Sequence, residues 1–266
     1  MVRSLVSIEV DLASSLAIRY ACSLGNLIKM ELCPVYVKGY APDEPTTGIG
    51  WARRTWEREL VEEGKEEISE MITSEMDSCP AMVEPRVIYG DRDVELQKLM
   101  DTESFDLYVE GAPYPCTPAT IHKRLHMKFY QRLQRPMIWL RGLRKINQVL
   151  LLCGGPKETR EMARSVLPLL ANSTIPLHLR TISGGDVSGA PADTLRSLEE
   201  VKETLDNAGC RIAIEREIPF VSDRLDEEVL KEYGLVVVAL DRKVRKDSPV
   251  LQWLSQVKEP LMIVLL

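Results

Sequence analysis

No run in this 266-residue chain approaches the roughly 18 to 20 consecutive apolar residues of a membrane-spanning helix. The opening MVRSLVSIEVDLASS sets Glu9 and Asp11 where a secretory leader would be apolar. A cytoplasmic location and no membrane association are the resulting expectations. Cysteine is sparse and unclustered: Cys22, Cys33, Cys79, Cys116, Cys153 and Cys210 form no C-x-x-C pair, which argues against zinc ribbons and thioredoxin-like chemistry. These six are read as reduced core or surface thiols. Histidine occurs three times, and only His122 and His126 have a helical spacing. Lys123 stands where a zinc protease carries Glu and no third ligand is near, so no metal is expected. No G-x-S-x-G elbow and no nucleophile–base constellation is present, so no catalytic residue is assigned and the protein is not expected to be an enzyme. The formal net charge of -6 argues against nucleic acid as a partner, since an all-basic surface is excluded.

The sequence does contain enough apolar material to fold, with 45% hydrophobic and 28% charged residues. Its pattern occurs twice. SLVSIEV reads as a strand, residues 14–28 as an amphipathic helix and MELCPVYVK as a strand; INQVLLLC, KETREMARSVLPLLAN and IPLHLRTI repeat the series. A long charged helix follows in each copy, near residues 51–76 and 191–208, then a strand, MVEPRVIY or CRIAIEREI. DRDVELQKLMDTESFDLYVEG then parallels DRLDEEVLKEYGLVVVAL, an acidic helix leading into a strand apolar enough to be covered on both faces. Each copy adds a basic stretch expected to be helical and ends in a proline-led strand, RPMIWLRG or EPLMIVLL. Two α/β domains are expected, 1–142 and 143–266. Alternating strands and helices imply parallel sheets with right-handed crossovers, whose carboxyl ends would carry any site.

In the first copy, SIEVDLASS is an apolar strand ending in Asp, YGD precedes the acidic helix, FDLYVEG ends a strand on glycine and RPMIWL closes the series. In this order and spacing the segments resemble the universal stress protein family, and specifically its tandem members, over nearly the whole chain. The resemblance implies two Rossmann-like domains of the adenine nucleotide alpha hydrolase type. Each would be a mainly parallel five-stranded sheet flanked by helices, and the closing strands would pair to make an intrachain pseudo-dimer. It also implies a nucleotide site in which Asp11 contacts the nucleoside, Val37 offers backbone groups to the base and Gly111 opens a G-x-x-G-x9-G-[S/T] phosphate loop. The chain departs from that loop. Tyr114, Arg124 and Leu125 occupy the remaining loop positions, and Pro113, Pro115 and Pro118 offer no N–H. In the second copy LLLCGGP places Cys153 or Gly154 where the family has Asp, and ALDRKVRKDSP contains no glycine. Asp11 also suits a helix cap, and Gly154 and Gly155 a plain turn.

Thr117 and Pro118 have the chemistry of a helix start, an N-cap followed by a residue whose missing N–H costs little. From Gly111 to Lys157 there is no acidic residue, and the cations Lys123, Arg124, Lys128, Arg132 and Arg135 form either an anion or acidic-partner surface or a solvated helix face. The expected function is a non-catalytic stress-response or regulatory protein with degenerate nucleotide-binding loops and no cofactor, acting on an unknown protein partner or by self-association. The alternative is a binder of ATP, another adenine nucleotide or another anion. Its rebuilt first-domain site would use Asp11, Val37, Gly111 and Thr117.

Overall fold

The computed structural model describes residues 1–39, 51–76, 79, 81–171, 173–183, 192–214, 218–219 and 227–266. The first half runs β1 (Val2–Ile8), α1 (Leu12–Ile28), β2 (Met30–Lys38), α2 (Trp51–Met76), β3 (Arg86–Tyr89), α3 (Arg92–Thr102), β4 (Leu107–Gly111), α4 (Pro118–Leu125), α5 (Lys128–Arg132) and β5 (Met137–Leu140). The second runs β6 (Val149–Cys153), α6 (Pro156–Leu170), β7 (Leu177–Ser183), α7 (Ala192–Asn207), β8 (Ile212–Ile214), β9 (Ile218–Pro219), α8 (Glu227–Leu230), β10 (Leu235–Leu240), α9 (Pro249–Gln256) and β11 (Leu261–Leu265).

Local chemistry sets many of these limits. Asp11 caps α1 by accepting from the Ser14 N–H, Lys29 closes it in the left-handed region (φ 53°), and Asp91 caps α3. β10 is the unbroken apolar run LVVVAL, as a parallel strand covered on both faces requires. The strand order is β3-β2-β1-β4-β5-β11-β10-β6-β7-β8, with β9 paired to β7. Neighbours are parallel except β5 and β11, which meet antiparallel through Met137–Ile263, Ile138–Met262 and Trp139–Leu261. The two halves therefore repeat one strand order outward from a shared seam. Each face of the sheet carries a buried cluster that includes residues of both halves. One contains Ile18, Leu24 and Ile138 with Leu151 and Val166; the other contains Tyr108, Phe129 and Trp139 with Leu254 and Ile263.

Polar contacts fasten the seam. Arg141 donates Nη1 to the Ser255 and Val257 carbonyls at the end of α9, at 2.7 and 2.6 Å. Arg242 reciprocates at the end of α5, and the buried Tyr20 hydroxyl donates to the Gly234 carbonyl at 2.8 Å. Free helix C-terminal carbonyls are natural targets for a guanidinium.

Two expectations are corrected. Cys22 and Cys79 form a disulfide (Cα–Cα 5.4 Å), because folding brings α1 beside the segment that follows α2; only Cys33, Cys116, Cys153 and Cys210 are free thiols. The basic stretch after β10 is built of turns up to the apolar helix α9, since Asp241 accepts from the Lys243 N–H in a local turn and Pro249 sits in the first turn of the helix. No helix among the described residues is long and apolar enough to cross a membrane.

Candidate functional site at the carboxyl rim of the first half

The sheet places β1 between β2 and β4, so the segments leaving these three strands converge on one edge. Asp11 is exposed there, with Oδ1 accepting from Ser14 N at 2.8 Å. Val37 is half-buried in β2 opposite Ile88. Gly111 ends β4 against the first turn of α1, where an added Cβ would stand 2.5 Å from Ala13 Cβ. Thr117 caps α4: its Oγ1 accepts from Thr120 N at 3.2 Å while Thr120 Oγ1 accepts from Thr117 N at 2.9 Å. The rim thus gathers Asp11 and Gly111 around the start of α1, with Val37 and Thr117 on flanking elements. Among the described residues, no hydrogen bond joins the four to one another.

Gly111→Ala should therefore cost about 1–3 kcal/mol of stability in urea unfolding, the usual range for overpacking. Adding Ala13→Gly should return part of it, because the clashing methyl is then gone. An unchanged midpoint for Gly111→Ala would show that the helix start can yield.

Beneath this rim lies a feature that the sequence reading missed. Glu110, one residue before Gly111, is only 2% exposed and receives five donors. Oε1 accepts from Tyr130 Oη (2.6 Å) and Trp139 Nε1 (2.8 Å). Oε2 accepts from Arg92 Nη2 (2.6 Å), Arg124 Nη2 (2.9 Å) and Tyr108 Oη (2.9 Å). Burial alone would raise this carboxyl's pKa, but the guanidiniums of Arg124 and Arg92, helped by Tyr130, hold it at about 2. Such a carboxylate is a fixed anion rather than a base. Arg92 continues outward to Ser7 Oγ (3.1 Å) and Glu9 Oε1 (3.1 Å), tying the network to the rim. The only sequence signal was a Glu in an otherwise apolar strand.

The network also reassigns part of the basic segment. Arg124 is committed to Glu110 and lies over the Tyr130 ring, whereas Lys123, Lys128, Arg132 and Arg135 remain exposed. His122 and His126 stack with centroids 3.9 Å apart, and no group of three metal-ligating side chains occurs among the described residues. His178 lies in β7 edge-on to Tyr233.

Seven large hydrophobic residues stand exposed among the described ones, and five of them follow first-half strands at this edge. They are Val10 (63%), Leu12 (77%), Val94, Tyr114 (97%) and Leu143. The equivalent crevice of the second half, between β6 and β10, is a cavity of about 650 Å³ bordered by Gly154, Gly155, Glu158, Asp241 and Arg245. There the Glu158 carboxylate folds back over the start of α6: a Cβ on Gly155 would meet Oε2 at 2.6 Å.

No protein-family model matches the sequence, nor does any curated protein. Solved structures do match. A universal stress protein from Archaeoglobus fulgidus is similar at 14% identity with a TM-score of 0.60, covering 98% of this chain and 95% of its own. A protein of unknown function from Pseudomonas aeruginosa is similar at 15% identity and TM-score 0.55, covering 99% and 92%. The chain thus has the α/β fold of a universal stress protein structure along nearly its whole length.

Proposed function

We propose that the chain is a non-catalytic stress-response or regulatory protein of the universal stress type, working through protein contacts at the carboxyl rim of its first half. One observation carries this reading: among the described residues, five of the seven exposed large hydrophobic ones, with Tyr114 almost fully exposed, share one edge. Isolated apolar residues need no explanation, but a concentration with an exposed aromatic suits a partner. The residues at the family's nucleotide position do not fit a triphosphate. Ala13 fills the space beside Gly111, the N–H groups of Thr117 and Thr120 are engaged by each other's hydroxyls, and three prolines withhold donors. In the second half Glu158 places a carboxylate where a phosphate would need the positive helix end.

The division into 1–142 and 143–266 and the intrachain pseudo-dimer belong to the same reading, supported by the repeated strand order and the antiparallel β5–β11 seam. A chain ended at residue 142 should then bare the edge of β5 and self-associate in sedimentation.

Isothermal titration of the full chain with ATP and ADP in the presence of magnesium should give no binding heat at the rim. Leu12→Asp with Tyr114→Asp should leave the fold intact, as both sites are exposed, and abolish retention of whichever protein the unmodified chain binds. Micromolar nucleotide affinity with hydrolysis would overturn the proposal.

A further inference from the structure

A second cavity, of about 320 Å³, lies where the two halves meet. It is bordered by Arg135 and Gln134 just before β5, by Lys157, Glu161 and Ser165 on α6, and by Arg242 after β10, with the end of the chain at Leu266 beside them. Because β5 and β11 are antiparallel, this cavity opens at the sheet edge opposite the rim that carries Leu12 and Tyr114.

Its charge is unbalanced. Arg242 donates Nη1 to the carbonyls of Tyr130 (3.0 Å) and Gln131 (3.1 Å), and Nη2 to those of Leu133 (2.7 Å) and Leu265 (3.1 Å). Four carbonyl dipoles fix the guanidinium in place without cancelling its charge, and burial pushes its pKa down, the mark of a cation that has lost water without gaining a counterion. Arg135 and Lys157 are exposed, and neither they nor Arg242 have an ion-pair partner among the described residues. The carboxylate of Glu161 is already held by Arg164 Nη1 at 2.5 Å. Three cations with no direct ion pair among the described residues, contributed by both halves, therefore line one small polar space with the Ser165 hydroxyl, the Gln134 amide and the Glu161 carboxylate that Arg164 holds.

We propose that this cavity between the halves binds a small multivalent oxyanion of the phosphate class. Arg242 is the fixed floor of the site; Arg135 and Lys157 are its exposed walls, reaching the ligand from opposite halves. Charge-assisted hydrogen bonds from guanidinium and ammonium groups are the interactions that such an anion rewards. The volume suits inorganic phosphate, diphosphate or a small phosphomonoester better than a whole nucleotide. Occupancy would bridge β5 to α6 and so tighten the seam.

Thermal unfolding of the full chain with added sodium diphosphate, against sodium chloride at matched ionic strength, tests this. A ligand that binds only the folded state raises the midpoint in proportion to the logarithm of its concentration once sites fill. Diphosphate should raise it by several degrees more than chloride. Arg135→Ala with Lys157→Ala should weaken binding by about tenfold or more, the loss expected for two charge-assisted contacts. Lys123→Ala with Lys128→Ala, two exposed cations elsewhere, should leave the shift unchanged. Equal shifts in diphosphate and chloride, a shift that survives Arg135→Ala with Lys157→Ala, or one that Lys123→Ala with Lys128→Ala abolishes equally would each overturn the assignment. The outcome is separable from the rim proposal: ATP binding lost in Arg135→Ala with Lys157→Ala belongs to this cavity, whereas ATP binding that survives these changes counts against the rim reading.

Discussion

Replacing Glu110 by Gln is expected to lower the unfolding free energy by about 3–5 kcal/mol, the range for removing one partner of a buried ion pair. The reason is the position of Arg92 and Arg124. Both converge on Glu110 Oε2, and Tyr130 and Trp139 both donate to Oε1. Gln keeps the shape but supplies no negative charge, and its amide N–H₂ must point at a donor whichever way it turns. Two guanidiniums are then left without their buried counterion. The wild-type pH dependence follows from the same geometry. The folded-state pKa of Glu110, about 2, lies below its ordinary value of 4.5, so the stabilisation is complete above pH 4.5 and is lost as pH falls toward 2. The shift corresponds to about 3 kcal/mol. Urea unfolding at pH 7 and at stepwise lower pH, followed by tryptophan fluorescence with Trp139 lying on the carboxylate, measures both effects. Glu110→Gln should be less stable at pH 7 and should lack this part of the acid slope. An unaltered midpoint would mean that the charges of Arg92 and Arg124 are satisfied without Glu110.

The parts of this molecule that were legible in its sequence are those set by neighbours in the chain. β2 and α2 read correctly because an apolar run and a long charged helical stretch are both local signals, and the α4 start was visible because Thr117 and Pro118 announce a cap within two residues. Glu110 was hidden because its partners lie 14 to 29 residues away, apart from Tyr108 on the same strand face. Seen alone, a carboxylate in an apolar strand only weakens the strand signal. Arg124 illustrates the converse. In the sequence it belonged to a run of cations, and only tertiary contact separates it from its exposed neighbours. The reciprocal arginine clamps of the seam were equally unreadable, since their acceptors are backbone carbonyls common to every residue. At the rim, the loss of loop glycines was plain in the sequence, but only packing shows Gly111 pressed against Ala13.

The second large effect concerns Cys22 and Cys79. Reducing this disulfide, or changing both residues to Ala, should cost about 2–4 kcal/mol, because the bond removes loop-closure entropy from the unfolded chain. The loop is long, with a sequence separation of 57, so the expected effect lies toward the upper end. It contains β2 and all of α2. α2 has a strongly charged sequence and buries Leu60, Ile68 and Ile72, the last two in the cluster that also holds Ile18 and Leu24 of α1, so the disulfide reinforces a narrow apolar contact at the end of that helix. Arg19 to Glu75, at 2.6 Å, is a second tie across the same junction, but its arginine is more than half exposed and contributes little. Both sulfurs are buried, so reductant should reach them only through local opening, and α2 amides should exchange faster once the bond is gone. Guanidinium unfolding with and without dithiothreitol gives the energy. Alkylation of the unfolded, unreduced chain gives the bond itself: four modified cysteines with the disulfide present, six without it. Six modified residues together with an unchanged midpoint in reductant would establish that α1 and α2 are held by packing alone.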